Sequence, residues 1–133
     1  EPLCVNPFDA GLLGLSTGDV VKLYNERGAV LGGVRVTERI MPSVVYQDHG
    51  ARCDTVVLGE GGLDRGGANN LIAPYATTST HAFGEVTSGF LVNIEKADVF
   101  ALAEQYPEAF GRDYEPDCGL VATARVVDGK EGE

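Results

Sequence analysis

Histidine and cysteine are scarce in this sequence: His49 and His81 are the only histidines and Cys4, Cys53 and Cys118 the only cysteines in 133 residues. The cysteines lie far apart, so neither a CxxC pair, a zinc-finger spacing nor a dense disulfide framework is present. With an odd count at least one thiol stays unpaired within the chain, and the pattern fits a reducing compartment. HExxH and EF-hand loops are missing, which removes the metalloprotease and calcium-loop readings. No GxxxxGK[ST] loop occurs, and the near miss to GxGxxG at Gly59 and Gly61 has Asp64 where the third glycine belongs. No Gly-Ser dipeptide exists, and a self-cleaving pyruvoyl decarboxylase needs that bond. Apolar runs fall short of the roughly 18 residues a membrane helix requires, and Glu1-Pro2-Leu3-Cys4 shows neither the basic nor the apolar stretch of a secretory leader. The expectation is a cytoplasmic protein. Bases are few, ten against twenty acids for a net charge of -10. That balance repels nucleic acid and anionic membranes, and neither is expected as a partner.

What is present reads as one domain with one core. Leu12 to Leu15 reads as a short helical turn closed by Ser16-Thr17-Gly18-Asp19. Val20 to Tyr24 and Ala29 to Thr37 are β-branched and extended, and Asn25-Glu26-Arg27-Gly28 between them supplies a tight turn, so a β-hairpin is predicted. A third strand is predicted over Ser43 to Gln47, then one long glycine-rich loop from Asp48 to Asn70. Loops of that length are uncommon in compact domains and are usually functional or disordered. Pro74 to His81 reads as a Ser/Thr-rich connection, and Phe90, Val92 and Ile94 alternate with Leu91 and Asn93 in a strand over Gly89 to Glu95. Asp98 to Tyr106 is the best helix candidate, with Val99, Phe100, Ala103 and Tyr106 as its core stripe. A last strand is expected over Leu120 to Val127 and a frayed tail over Asp128 to Glu133. The sum is a mainly antiparallel β domain with short helices, whose edges closure into a small barrel would protect.

The order of motifs resembles a known family. Asn6-Pro7-Phe8-Asp9-Ala10, Leu13-Gly14-Leu15, Gly18 to Gly28, and Val36-Thr37-Glu38-Arg39-Ile40-Met41-Pro42-Ser43-Val44 are similar to the C-terminal molybdopterin-dinucleotide-binding domain of the dimethyl sulfoxide reductase family, with Ser43 where the family has glycine. Tyr46-Gln47-Asp48-His49-Gly50-Ala51-Arg52, Leu63 to Ile72, Thr78-Ser79 and Ser88 to Val92 resemble the branch of pyrogallol-phloroglucinol transhydroxylase large subunits and catechol dehydroxylases. The resemblance implies a double-psi β-barrel over residues 1–127 that lacks its first strand, with 128–133 as a disordered tail. It also implies a role in holding a bis-molybdopterin guanine dinucleotide of molybdenum or tungsten.

On that reading His49, Gly50, Arg52, Asp64, Arg65, Gly67 and Asn70 are the candidate cofactor-binding residues, and Asn70 matches the family's recurring Asn-x-Leu motif. Glycines let backbone amides approach a pyrophosphate, arginine and asparagine donate to it in fixed geometry, and Asp54 or Asp64 could accept from a guanine or pterin amine. The same residues have plainer readings: turn glycines, and surface ion pairs of Arg52 and Arg65 with Asp54 and Asp64. Asn25 and Gly28 read as turn residues and His81 as an exposed loop residue. No catalytic residue and no metal ligand is assigned to this chain. The implied partners are the remaining domains of a catalytic subunit, with an iron–sulfur subunit as a further candidate, and an uncovered strand edge predicts self-association. A double-psi barrel serving as an interaction or adaptor module without cofactor is the alternative. Charge favours an anionic dinucleotide over a long nucleic acid, because residues 95–133 hold ten acids against four bases and the central loops are close to neutral.

Overall fold

The computed structural model describes residues 2–59, 61–86 and 88–110. Strand β1 (Pro2–Val5) leads into helix α1 (Pro7–Leu13), then the hairpin of β2 (Val20–Tyr24) and β3 (Gly28–Val36). Short strands β4 (Val45–Gln47), β5 (Thr55–Val57) and β6 (Gly62–Asp64) follow, then a 3-10 turn at Asn69–Leu71. A two-stranded hairpin of β7 (Thr77–Ser79) and β8 (Ala82–Glu85), strand β9 (Asn93–Lys96) and helices α2 (Val99–Gln105) and α3 (Pro107–Phe110) complete it. The strand expected over Leu120 to Val127 and the tail after it lie outside the described residues.

The fold is mainly β, and its sheet is mixed. β2 pairs antiparallel with β3 from Val20↔Gly33 to Tyr24↔Ala29, and so occupies one edge of β3. The other edge is shared by two parallel strands: β6 against Gly28 to Val30 and β1 against Gly33 to Val36. β4 adds antiparallel to β1, β5 to β6 and β9 to β2. β3 is therefore buried on both faces. Val30 and Val34 join Leu3, Val5, Val21, Leu23 and Ile72 in one cluster, while Ala29 and Leu31 join Leu63 in another. Each fully buried Val or Leu contributes about 1.5–3 kcal/mol relative to exposure, so these alternating side chains set the register.

Several sequence expectations change. The helix near the N-terminus starts five residues earlier than predicted, because Asn6 accepts the Phe8 amide as N-cap and Pro7 occupies the first turn. Gly14, at φ 64, ends it. The stretch from Asp48 to Asn70 is not one loop: three-residue strands β5 and β6 lie within it and add to the main sheet. The Ser/Thr-rich connection is the exposed β7–β8 hairpin, with Phe83 99% exposed. Helix α2 forms where expected, but the stripe is not core, since Phe100 is 77% exposed and Leu102 instead packs against the second cluster. The Gly89–Glu95 strand begins only at Asn93.

Candidate functional site

The glycine-rich segments are held by a buried brace. Asp64 ends β6 and is 0% exposed. One carboxylate oxygen accepts from the Asp54 amide at 2.6 Å and the Cys53 thiol at 3.2 Å, and the other accepts from the Ala68 amide at 3.0 Å. The amide of Arg65 donates to the Asp54 carbonyl at 2.8 Å. Its guanidinium pairs with the Asp54 carboxylate, donates to the Ala109 carbonyl and stacks 5.3 Å from the Phe110 ring centre. A surface ion pair was the plainer of the two sequence readings for Arg65. The structure instead buries the Arg65 side chain, 3% exposed, while Asp54 remains 23% exposed. Where the two segments cross, a β-carbon on Gly66 would meet the Arg52 carbonyl oxygen. Glycine is required there by space, not by φ.

Beyond the brace the chain turns at Gly67, φ 83, into the 3-10 turn that carries Asn69 and Asn70. Opposite it runs Gln47 to Gly50, with Gly50 at φ 102. The two segments are tied by Gln47 Nε2 donating to the Gly67 carbonyl at 3.4 Å and Asn69 Nδ2 donating to the Asp48 carbonyl at 3.5 Å. Two adjoining cavities of about 220 Å³ each open along this seam. His49 and Asn69 border both; Asn70, Tyr75 and Glu85 border one, and Gln47, Ile72 and Phe90 the other. The buried Oε1 of Gln47 finds no hydrogen-bond partner among the described residues. A buried acceptor of that kind calls for a donor, and none of the described residues supplies it.

Of the seven candidates, the structure brings His49 and Asn70 to one cavity, with Gly50 and Gly67 in the turns that set their backbone. Asp64 and Arg65 lie inside the brace, and Arg52 is exposed while its carbonyl packs at Gly66. Sequence reasoning missed Gln47 and Asn69, although Asn69 adjoins Asn70 and Gln47 lies two residues before His49. Tyr46 hydrogen-bonds Asp48, and this bond and the Asp48 charge raise its phenol pKa. His81 sits exposed in the turn between β7 and β8. Asn25 does more than turn: its side chain accepts from the Arg27 amide and donates to the carbonyls of Ile72 at 2.8 Å and Leu91 at 3.3 Å.

A larger cavity, about 760 Å³, lies elsewhere, between α1, the 43–45 segment and residues 88–94. Its walls are mainly apolar, including Leu12, Leu13, Val44 and Leu91, and its Asp9 carboxylate is engaged by the Ser43 amide. Gly14-Leu15-Ser16-Thr17-Gly18 spells G-x-S-x-G. It runs from helix to strand, the reverse of a nucleophile turn, and the Ser16 amide is bound by Asp19. Among the described residues no cluster of three or more His, Cys, Asp and Glu could hold a metal, and no helix is long and apolar enough to cross a membrane.

Residues 1–87 match the family described as molydopterin dinucleotide binding domain. The chain is 37% identical over 98 residues to trimethylamine-N-oxide reductase of Haemophilus influenzae, an alignment covering 72% of this chain and 12% of that protein. It is 34% identical over 97 residues to dimethyl sulfoxide/trimethylamine N-oxide reductase of Cereibacter sphaeroides, covering 72% and 12%. With the pyrogallol hydroxytransferase large subunit of Pelobacter acidigallici it shares 36% identity over 95 residues, covering 71% and 11%. The chain thus spans about one eighth of the length of the curated relatives it matches.

Proposed function

This chain belongs to the molydopterin dinucleotide binding domain family, and from that premise we propose that it holds the guanine dinucleotide part of a bis-molybdopterin cofactor within a larger molybdenum or tungsten enzyme. The observation that carries this reading is the seam between residues 47–50 and 67–70. It combines a buried acceptor, Gln47 Oε1, that has no partner among the described residues, with His49, Asn69 and Asn70 and two left-handed glycines. The amide oxygen suits a ring N–H or amine of guanine or pterin. Asparagine side chains and the backbone amides beside Gly50 and Gly67 suit phosphate and carbonyl oxygens. Bound there, the cofactor would supply the metal centre for redox or hydroxyl-transfer chemistry. The residues of this chain orient it and exclude water, and the acids and bases acting on substrate come from other domains.

The architecture we assign is a double-psi β-barrel, supported by the parallel pairing of β1 and β6 along one edge of β3. The partner is the rest of the catalytic subunit. Supporting this are the one-eighth coverage of the relatives and the exposure of large apolar side chains, Phe8, Leu12, Met41 and Leu91 among them. The β7–β8 hairpin is also exposed, and a two-stranded hairpin is marginal unless something covers it. A cofactor-free adaptor would use the same apolar side chains but gives the Gln47 acceptor no donor among the described residues. The test is a His49→Ala/Asn70→Ala double substitution in the full-length catalytic subunit, assayed for guanine nucleotide and molybdenum or tungsten content. The expected result is a loss of both; unchanged content overturns the assignment.

A further inference from the structure

We propose that Asp64 is a positioning residue: its buried carboxylate sets the Gly67–Asn70 turn against the Gln47–Gly50 segment and thereby shapes the ligand seam without touching the ligand. The inference rests on the cofactor reading above for what the seam binds, and on the hydrogen bonds alone for what Asp64 does.

Asp64 has no exposed surface, so a ligand in the seam cannot reach it without unfolding the brace. Its two oxygens serve opposite sides. One receives the Asp54 amide and the Cys53 thiol, both in the segment entering β5, and the other receives the amide of Ala68, which immediately precedes Asn69. From Ala68 the connection to the seam is direct. The Gly67 carbonyl accepts from Gln47, and the Asn69 side chain donates to the Asp48 carbonyl next to His49. All three groups bonded to Asp64 are donors, and only a carboxylate presents acceptors on both sides. An asparagine would keep one oxygen and turn its NH₂ toward a donor on the other side. Arg65 and Gly66 add rigidity between the two sides, through the Arg65–Asp54 pair and the close crossing at Arg52.

Ala68 offers a second way to cut the same link. Its φ is -73, near the value proline fixes, so Ala68→Pro removes the donor while keeping the φ of residue 68. The experiment titrates isotopically labelled wild-type, Asp64→Asn, Ala68→Pro and Val21→Ala chains with guanosine diphosphate by NMR, and follows amide exchange at Asn69 and Asn70. Val21 lies in the core away from the brace and controls for general destabilisation. Both brace variants are expected to lose about tenfold in affinity, the scale of one hydrogen bond to a charged group, and to exchange faster at Asn69 and Asn70. Val21→Ala is expected to bind like wild type. Wild-type affinity in either brace variant overturns the positioning role, as does an equal loss in Val21→Ala. If wild type binds no guanosine diphosphate, it is the cofactor reading that fails. Exchange then decides the brace by itself: faster exchange in both brace variants supports it, and unchanged exchange overturns it.

Discussion

The amide of Ser43 donates to a carboxylate oxygen of Asp9 at 2.7 Å while Ser43 itself sits at φ 63. Ser43 is the one non-glycine residue with positive φ among those described. Asp9 lies in the first turn of α1, so this bond pins the 41–45 turn to the helix and sets the approach of β4 to β1. Glycine in the family pattern at this position follows from the left-handed backbone, and serine is held there by the Asp9 bond at a conformational cost.

Ser43→Gly is therefore expected to stabilise the fold by about 1 kcal/mol, because glycine adopts positive φ without the steric penalty. Asp9→Ala should destabilise by about 1 kcal/mol. Denaturant melts of the two variants check both signs.

Gly66→Ala should destabilise by about 1–3 kcal/mol, since the methyl group would overlap the Arg52 carbonyl and force the brace apart. Gly11→Ala, in helix α1 with nothing within 4 Å of its β-carbon position, should instead stabilise by about 0.5–1 kcal/mol. The opposite signs are readable in paired thermal melts.

At Cys53 the Thr55 bond works to lower the thiol pKa. The bond to the Asp64 carboxylate, burial and the charges of Asp64 and Asp54 together outweigh it and hold the thiol above its ordinary value of 9.0. A raised pKa favours the protonated folded form, so this contribution to stability is complete below the ordinary thiol range and is lost as pH rises through the raised value. Cys53 should alkylate more slowly at pH 8 than a cysteine in an unstructured peptide, and Asp64→Asn should speed it. Time-resolved alkylation with peptide mass spectrometry measures this, and equal rates in the two chains would contradict it.

Asn25→Ala should cost about 1–3 kcal/mol, because it takes the Asn25 donor from the Leu91 carbonyl, leaves the Ile72 carbonyl with Arg27 Nε alone, and frees the Arg27 amide. Chemical denaturation of the variant gives the value.

The hairpin of β2 and β3 was legible because alternation, β-branching and the Asn25–Gly28 turn agree over many residues. β5 and β6 were not, because three residues carry no readable period; β6 is a strand through parallel pairing with β3, more than thirty residues earlier in the sequence, and β5 through antiparallel pairing with β6. α2 was legible as a helix, yet its packing face was not, since Leu102 rather than Phe100 meets the rest of the fold. In the candidate site, the motif order pointed to the two segments that form the seam. It could not separate His49 and Asn70, which border a cavity, from Asp64 and Arg65, which are buried beneath it. That distinction depends on which way each residue faces at the end of β6, and the direction is set by bonds to residues ten or more positions away.

The most direct test of the central claim is an NMR titration of the isotopically labelled chain with guanosine diphosphate, with adenosine diphosphate as control. The account predicts saturable shifts at His49, Gly50, Gly67, Asn69 and Asn70 and tighter binding of the guanine nucleotide. Absence of shifts along that seam, or equal response to both nucleotides, would contradict it.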